Sequence, residues 1–450
     1  MKEITNRVLV SIAAGLLLQF SGGFAPAQSM RRSVIAFALA SLLGGIWTPT
    51  SHVANALEPD SLSSKDRIDI FDTVWKTIND EYYDATFNGV NWSAARERYR
   101  PRVEAVQGDE EFYAVISEML LDLRDLHTSF VAPDTQPSSS GISVYEIEDK
   151  IVVANVDPDS DAARAGVKAG MIVRTLDGKP IDEHVSQLRM KLGHWSNQQA
   201  YRVVIRGRIL RGPANTTFKL GLERADGTRF EVALTRRAIT NPQAKLISYR
   251  LPSGFSYMKI SAALRSPVED QFESEFRTLK DSGGLIIDLR GLNGGDIKGV
   301  GLKIANHFFP SKVSFGKFIN RSGEVPLRRS LSAEGDSQSY KGPVVILIDG
   351  MTASAAEVFA SGFQENLRAK VIGEQSCGCV LDRDSKKVKG GGVLYYSRLV
   401  YISSKGRKLE GAGVVPDKTV KPTIAGLQQG RDLILEKAES ILRAQQSISR

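Results

Sequence analysis

Two short runs constrain this chain more than any other feature: Gly284-Leu-Ile-Ile-Asp-Leu-Arg290 and Pro343-Val-Val-Ile-Leu-Ile-Asp349. A strand with one wet face alternates apolar and polar residues. Near-continuous apolar runs of this length belong to strands covered on both faces. Helical patterns lie between them, at about Gly299–Phe308, and after the second, at about Ala353–Asn366. Strand and helix in alternation predict an α/β core with mostly parallel buried strands joined by crossover helices. Phe255-Ser-Tyr-Met-Lys-Ile-Ser alternates as a further strand, and the tail Thr423–Gln446 reads as an amphipathic helix.

Upstream the texture differs. Residues 57–135 carry apolar residues at helical spacing, as in Ile68-Asp-Ile-Phe-Asp-Thr-Val-Trp-Lys-Thr-Ile and Phe112–Leu123, and form a predicted N-terminal helical region. The turn-rich segment Pro133-Asp-Thr-Gln-Pro-Ser-Ser-Ser-Gly141 closes it. Residues 136–240 then read as a β-rich domain, with strands expected at Ile142–Ile147, Lys150–Val156, Met171–Leu176, Ala200–Ile205, Phe218–Arg224 and Arg229–Thr235. Ser160-Asp-Ala-Ala-Arg-Ala-Gly-Val-Lys-Ala-Gly170 supplies a short helix and a turn, Asp177-Gly178 a tight turn, and Arg206–Thr217 reads as an insertion. The α/β core follows over 241–425 and a C-terminal helix over 426–450.

The first 56 residues hold two apolar stretches, near Val8–Phe20 and Val34–Trp47. The second follows Met30-Arg31-Arg32 and precedes Ala54-Asn55-Ala56. A basic start, a short apolar run and an A-x-A site describe a secretory signal peptide cleaved after Ala56, with Met30 as a candidate true start. Export to the periplasm or medium is the expectation; an uncleaved N-terminus acting as a membrane anchor is the alternative. The chain's 450 residues are 42% hydrophobic and 24% charged, which excludes disordered and collagenous classes. The net charge of +8 is scattered, without a long Lys/Arg run. It gives no nucleic-acid footprint, though it suits peripheral contact with anionic membrane surfaces. The only two cysteines, Cys377 and Cys379, stand in Ser-Cys-Gly-Cys. A bridge between residues two apart is expected to be labile. Without a nearby histidine they make a poor zinc site, so neither a metal nor a cofactor is expected.

In open α/β sheets, reactive groups gather beyond the carboxyl ends of the strands. The first buried run continues into Gly291-Leu-Asn-Gly-Gly295 and the second into Gly350-Met-Thr-Ala-Ser-Ala-Ala-Glu-Val358. Ser354 falls in the first turn of a helix, where free N–H groups favour developing negative charge. Ser354-Ala-Ala-Glu357 is also a capping box, so the local sequence fits a helix cap as well as a nucleophile. The pair Gly294-Gly295 likewise fits a turn needing positive φ.

Taken in order, Gly-Leu-Ile-Ile-Asp-Leu-Arg-Gly-x-x-Gly-Gly, Thr-Ala-Ser-Ala-x-Glu, Gly373-Glu374, Gly411-x-Gly-Val-Val-Pro-Asp417 and the upstream Leu123-Arg-Asp-Leu-His-Thr-Ser-Phe130 resemble the C-terminal processing (tail-specific) peptidase family, over roughly residues 65–425. The resemblance implies a serine peptidase with Ser354 as nucleophile and the N–H groups of Gly295 and Ala355 as oxyanion hole. The β-rich domain resembles a PDZ domain, whose loop Gly141, Ile142, Ser143 and Val144 would receive a peptide carboxylate while the peptide adds as a strand.

The sequence departs from the family's Ser–Lys branch, because Cys379 stands at the lysine position and Arg383 at that of the supporting glutamine. A thiol with a pKa near ~8.5 is mostly neutral and does not replace that base. A tricorn-like branch uses Ser–His–Glu instead, and its histidine and glutamate fall on His127 and Glu410. The implied triad is Ser354, His127 and Glu410. Each of the latter two also fits a structural role. Lys370, Lys386, Lys387 and Lys389 lie nearest Cys379 in sequence as substitute bases, and Asp288, Arg290 and Asp417 read as structural. The implied function is an exported serine endopeptidase that cleaves protein or peptide substrates near their C-termini through an acyl-enzyme. The alternative is a catalytically inactive, PDZ-containing peptide-binding relative.

Overall fold

A computed structural model describes residues 62–133, 135–193, 197–239 and 244–448; the signal segment expected at 1–56, with Met30, lies outside the described residues. Among the described residues no helix is long and apolar enough to cross a membrane. The N-terminal region forms as its periodicity requires: α1 (Ser64–Glu81), α2 (Trp92–Ala105) and α3 (Asp109–Leu121). A capping box between Ser63 and Asp66 starts α1, and Ile70, Phe71, Val74 and Ile78 form its buried stripe. A short strand, β1 (Ser129–Val131), follows the Asp125–Thr128 turn.

The β-rich module contains β2 (Ser138–Ser139), β3 (Ile142–Ile147), β4 (Lys150–Val156), α4 (Asp161–Arg164), β5 (Ile172–Leu176), β6 (Lys179–Pro180), α5 (Ile181–Leu192), α6 (Gln198–Ile209), β7 (Thr217–Glu223), β8 (Arg229–Thr235) and β9 (Arg237–Ala238). Its antiparallel sheet has the order β3-β4-β5-β7-β8, leaving β3 at an edge. Two expectations are corrected here. The strand expected at Ala200–Ile205 is helix α6, which also takes up the start of the supposed insertion. The β-branched run Val203-Val204-Ile205 suggests a strand, but Ala200, Val204, Ile205 and Ile209 are buried at helical spacing behind an Asn197 cap. The loop expected over Gly141, Ile142, Ser143 and Val144 is shorter, because the last three lie in β3, where the strand expected at Ile142–Ile147 puts them, paired with Val156, Asn155 and Val153. Only Gly141, at φ 74°, stays in the turn.

The core comprises β10 (Lys245–Arg250), β11 (Ser256–Ser261), α7 (Val268–Leu279), β12 (Leu285–Asp288), a π-helical turn (Ile297–Gly301), α8 (Leu302–Asn306), β13 (Val313–Ile319), β14 (Ser330–Ala333), β15 (Val344–Ile348), α9 (Ala355–Glu365), β16 (Lys370–Gly373), β17 (Leu381–Lys387), β18 (Val393–Ile402), β19 (Lys418–Thr419), α10 (Ile424–Gln428) and α11 (Leu433–Ile448). The main sheet runs β10-β11-β12-β15-β16-β19 and is parallel except for the β10–β11 pair. Both apolar runs are covered on two faces. Leu285, Ile287, Val344, Ile346 and Ile348 join the cluster of α7 and α9, while Ile286, Val345 and Leu347 pack with Ile434, Ala438 and Leu442 of α11. The expected single tail helix is two, α10 and α11, separated by Gly430 at φ 68°.

A second, antiparallel sheet, β1-β18-β13-β14 with β17 beside β18, had no sequence expectation. It brings Ser129 opposite Tyr395 and so docks the His127 segment on the core. At the carboxyl end of β12, Asp288 is fully buried and held by Arg290, which also reaches Asp432, each at 2.7 Å. Burial pushes the Asp288 carboxyl up, but the Arg290 guanidinium outweighs it and holds the group below its ordinary value. Arg290→Ala strands that carboxylate, and we expect a loss of about 3–5 kcal/mol by urea unfolding at neutral pH. The stability given by a depressed carboxyl is lost as pH falls through its folded value, so the deficit should shrink below about pH 3.8. A deficit independent of pH contradicts this account.

Candidate active site

β12 and β15 run side by side, with Ile287 opposite Ile346 and Asp288 opposite Leu347, so their following loops emerge together. The loop after β12 is stapled on both sides. Leu264 N–H donates to the Gly294 carbonyl, Asp296 N–H to the Leu264 carbonyl, and Ala353 N–H to the Leu292 carbonyl. Two glycines permit this close approach. A Cβ on Gly294 would stand 2.6 Å from the Ser354 Cβ, and one on Gly295, at φ 135°, 2.3 Å from the Leu264 oxygen.

Ser354 is half-buried and strained, at φ 55° and ψ −125°, directly before α9. A non-glycine residue in that region is held there by its surroundings. Its N–H donates to the Cys379 carbonyl at 2.8 Å and to Glu357 Oε2 at 3.1 Å. Among the described residues no acceptor meets the N–H of Gly295 or Ala355. Both are therefore free to donate beside the hydroxyl, as an oxyanion hole requires.

Glu357 organises the loop opposite. Fully buried, it accepts from Ser376 Oγ (2.5 Å), Gly378 N–H (2.8 Å) and Cys379 N–H (2.9 Å) as well as from Ser354. Burial raises its carboxyl to about 7 against the pull of these donors. The Ser354 capping box is visible in the sequence; a carboxylate that knots the 376–379 loop to Ser354 is not. Cys377 and Cys379 are bridged and pack in one apolar cluster with Leu126, Ala353 and residues of the β-rich module.

The cluster draws together the neighbours of both candidate groups, since Leu126 precedes His127 and Ala353 precedes Ser354. His127 stands in a turn fixed by Asp125, whose carboxylate accepts from His127 N–H (2.8 Å), Thr128 Oγ1 (2.5 Å), Ser397 Oγ (2.5 Å) and Tyr82 OH (3.3 Å). Sequence reasoning gave Asp125 no role, although Asp two residues before the histidine is a turn-forming signal. Burial lowers the His127 pKa, Asp125 raises it and Arg383 lowers it further. Among the described residues its buried Nδ1 meets no hydrogen-bond partner.

Glu410 accepts from Val380 N–H at 2.7 Å, one residue beyond the carbonyl that holds Ser354. Burial, then the charge of Asp125, pushes its carboxyl well above the ordinary range. The structure thus gathers Ser354, Gly295, Ala355 and the Glu410 loop around residues 376–380, and the His127 turn borders the same cluster. Gly141, Ile142, Ser143 and Val144 belong to the β-rich module, where Ile142 and Val144 join the same apolar cluster as the bridged cysteines. Three of the four substitute lysines are engaged elsewhere: Lys370 faces Asp417 at 3.9 Å, Lys386 donates to Thr77 and Lys389 pairs with Asp66.

Comparison with known proteins bears on this geometry. Residues 254–420 match the model of peptidase family S41, and residues 63–121 that of the tricorn protease C1 domain. The carboxyl-terminal-processing protease of Synechocystis sp. is 27% identical over 355 residues, covering 77% of this chain and 79% of the relative. The carboxy-terminal-processing protease of Bartonella bacilliformis is 27% identical over 364 residues, 76% and 77% of the two chains. Among solved structures, a photosystem II D1 C-terminal processing protease superposes with a TM-score of 0.53 at 22% identity, covering 84% of this chain and 97% of that one. Mature CPAF superposes at 0.66 and 12%, covering 84% and 96%. Both structural likenesses concern the fold.

The Glu357 knot has a measurable signature. Its folded pKa lies above the unfolded value of 4.5, so the folded state holds the proton more tightly, and stability should fall as pH rises from about 4.5 to about 7. Glu357→Gln should remove that slope. It places a donor where only acceptors fit, so it should also cost about 1–3 kcal/mol by chemical denaturation. An unchanged slope refutes this role.

Proposed function

This chain is a serine-type peptidase that acts on protein or peptide substrates, and we propose that it cleaves them through an acyl-enzyme on Ser354, with His127 as base and Glu410 as the carboxylate behind it. The observation carrying this reading is the Cys379–Val380 step: one peptide unit binds the Ser354 N–H through its carbonyl and the Glu410 carboxylate through its N–H. With Cys379 in a bridge, the position of the family's lysine offers no base, and Lys370, Lys386 and Lys389 have other partners.

In the proposed sequence, the neutral imidazole of His127 takes the Ser354 proton as Oγ attacks the substrate carbonyl. The N–H groups of Gly295 and Ala355 receive the developing oxyanion. The imidazolium then protonates the leaving amine, and water repeats the cycle on the ester. A carboxyl held up by burial gains most from ionising when a cation forms beside it, which suits Glu410 to stabilising the imidazolium. The edge strand β3, with Gly141 before it, accommodates a substrate tail as an added strand, in the manner of a PDZ domain. Export through the N-terminal segment and cleavage near C-termini belong to the same reading. An inactive relative is not favoured, because the matched family and the relatives are peptidases.

A fluorophosphonate should label Ser354, and Ser354→Ala should abolish labelling. His127→Ala should lower kcat by about 10^4–10^6-fold and Glu410→Gln by about 10^4-fold. Because the His127 pKa is lowered, the base stays neutral below the ordinary imidazole value of 6.5, and the acid limb of kcat/KM should lie below that pH. Full activity of His127→Ala, or an acid limb above 6.5, overturns the triad.

A further inference from the structure

A cavity of about 120 Å3 opens directly beside Ser354, bounded by the nucleophile and both proposed oxyanion donors, Gly295 and Ala355. A carbonyl whose oxygen sits between those donors belongs to the residue on the acyl side of the scissile bond, and its side chain begins two bonds from the attacked carbon. The leaving nitrogen must instead face the base that protonates it. Neither His127 nor Glu410 lines this cavity, so it lies on the acyl side.

Ile297, Phe318, Val358, Val380 and Leu381 give it apolar walls, and Asp296, Lys298, Arg329 and Asp382 bring charge to it. These charges are not equivalent. Arg329 and Asp382 pair at 2.7 Å and offset one another. Lys298 lies in the π-helical turn that follows the glycine pair, and its ammonium donates to the Arg328 carbonyl. Among the described residues it has no carboxylate within ion-pair distance. The Asp296 carboxylate is turned back onto the N–H groups of Lys298 and Gly299. Burial and the neighbouring Arg329 pull the Lys298 pKa down, more than the charges of Asp382 and Asp296 raise it, and an acceptor brought into the cavity would add to the latter. A volume of about 120 Å3 is of the size of a side chain of about four to five heavy atoms.

We propose that this cavity receives the P1 side chain, and that Lys298 selects one ending in an oxygen acceptor, a carboxamide or carboxylate, over an apolar or basic side chain of similar size. The inference rests on Ser354 as nucleophile and deepens that reading by naming a substrate class.

The test uses peptidyl phosphonates that differ only at P1 (Gln, Glu, Leu or Lys) and a small fluorophosphonate without a P1 group, with labelling rates of the full chain read by mass spectrometry. Gln and Glu should label about tenfold or more faster than Leu and Lys. Lys298→Met should abolish that ratio, and Lys298→Arg should restore it. The ratio is read within each variant, so a general loss of fold does not mimic the result. Leu equal to or faster than Gln, or a ratio indifferent to Lys298→Met, overturns the proposal. So does a preference for Lys lost in Asp382→Asn, which would make Asp382 the selector. Loss of small-probe labelling in Lys298→Met with rescue by Lys298→Arg also overturns it, and moves the lysine into proton transfer. Wild-type labelling with a flat P1 profile sinks only the pocket, whereas no labelling by any probe sinks the Ser354 assignment and the pocket with it.

Discussion

A single buried carboxylate holds the candidate site together. Glu357 gathers a hydroxyl and three backbone N–H groups from two segments, one being the N–H of Ser354 itself. Without it, the 376–379 loop would carry unpaired buried donors at the start of α9, each costing about 1–3 kcal/mol. Everything else at the site is hung on that loop. The Cys379 carbonyl fixes the serine backbone, Val380 N–H holds Glu410, and the bridged cysteines face the apolar cluster that seats Leu126. The strained backbone at Ser354 persists because these contacts over-determine it.

The parts legible in the sequence were those governed by burial on two faces. β12 and β15 were visible because lipid-like runs of four to five residues have few other fates, and their loop positions followed from strand direction. The parts that were not legible depend on contacts remote in sequence. The β-branched segment of α6 reads as strand until its cap and buried stripe are seen. The second sheet joins β1 to β18 across more than 250 residues, and no local pattern announces such a pairing. The same holds at the site. Ser354 and its glycine pair carry a motif, whereas Asp125, Arg329 and Asp382 acquire meaning only from their neighbours.

The Cys377–Cys379 bridge places no charge beside Ser354. A buried ammonium there would sit near Glu357 and Glu410 and lower both carboxyls. A neutral disulfide leaves the two to repel each other, and Glu357 adds to the rise at Glu410. The pocket is thereby biased toward protonated acids and a neutral imidazole, a set of groups poised for moving protons rather than for holding a fixed charge.

The last helix gives the fold a temporal order. Ile434, Ala438 and Leu442 close one whole face of the sheet that carries both β12 and β15, so a nascent chain still lacking them has its central strands half naked. The N-terminal segment is bound by the same delay, since Asp125 waits for Ser397. Neither β12 nor β15 is covered on its second face until α11 packs, and the Asp125 turn is likewise completed only by a residue more than 250 positions further along the chain.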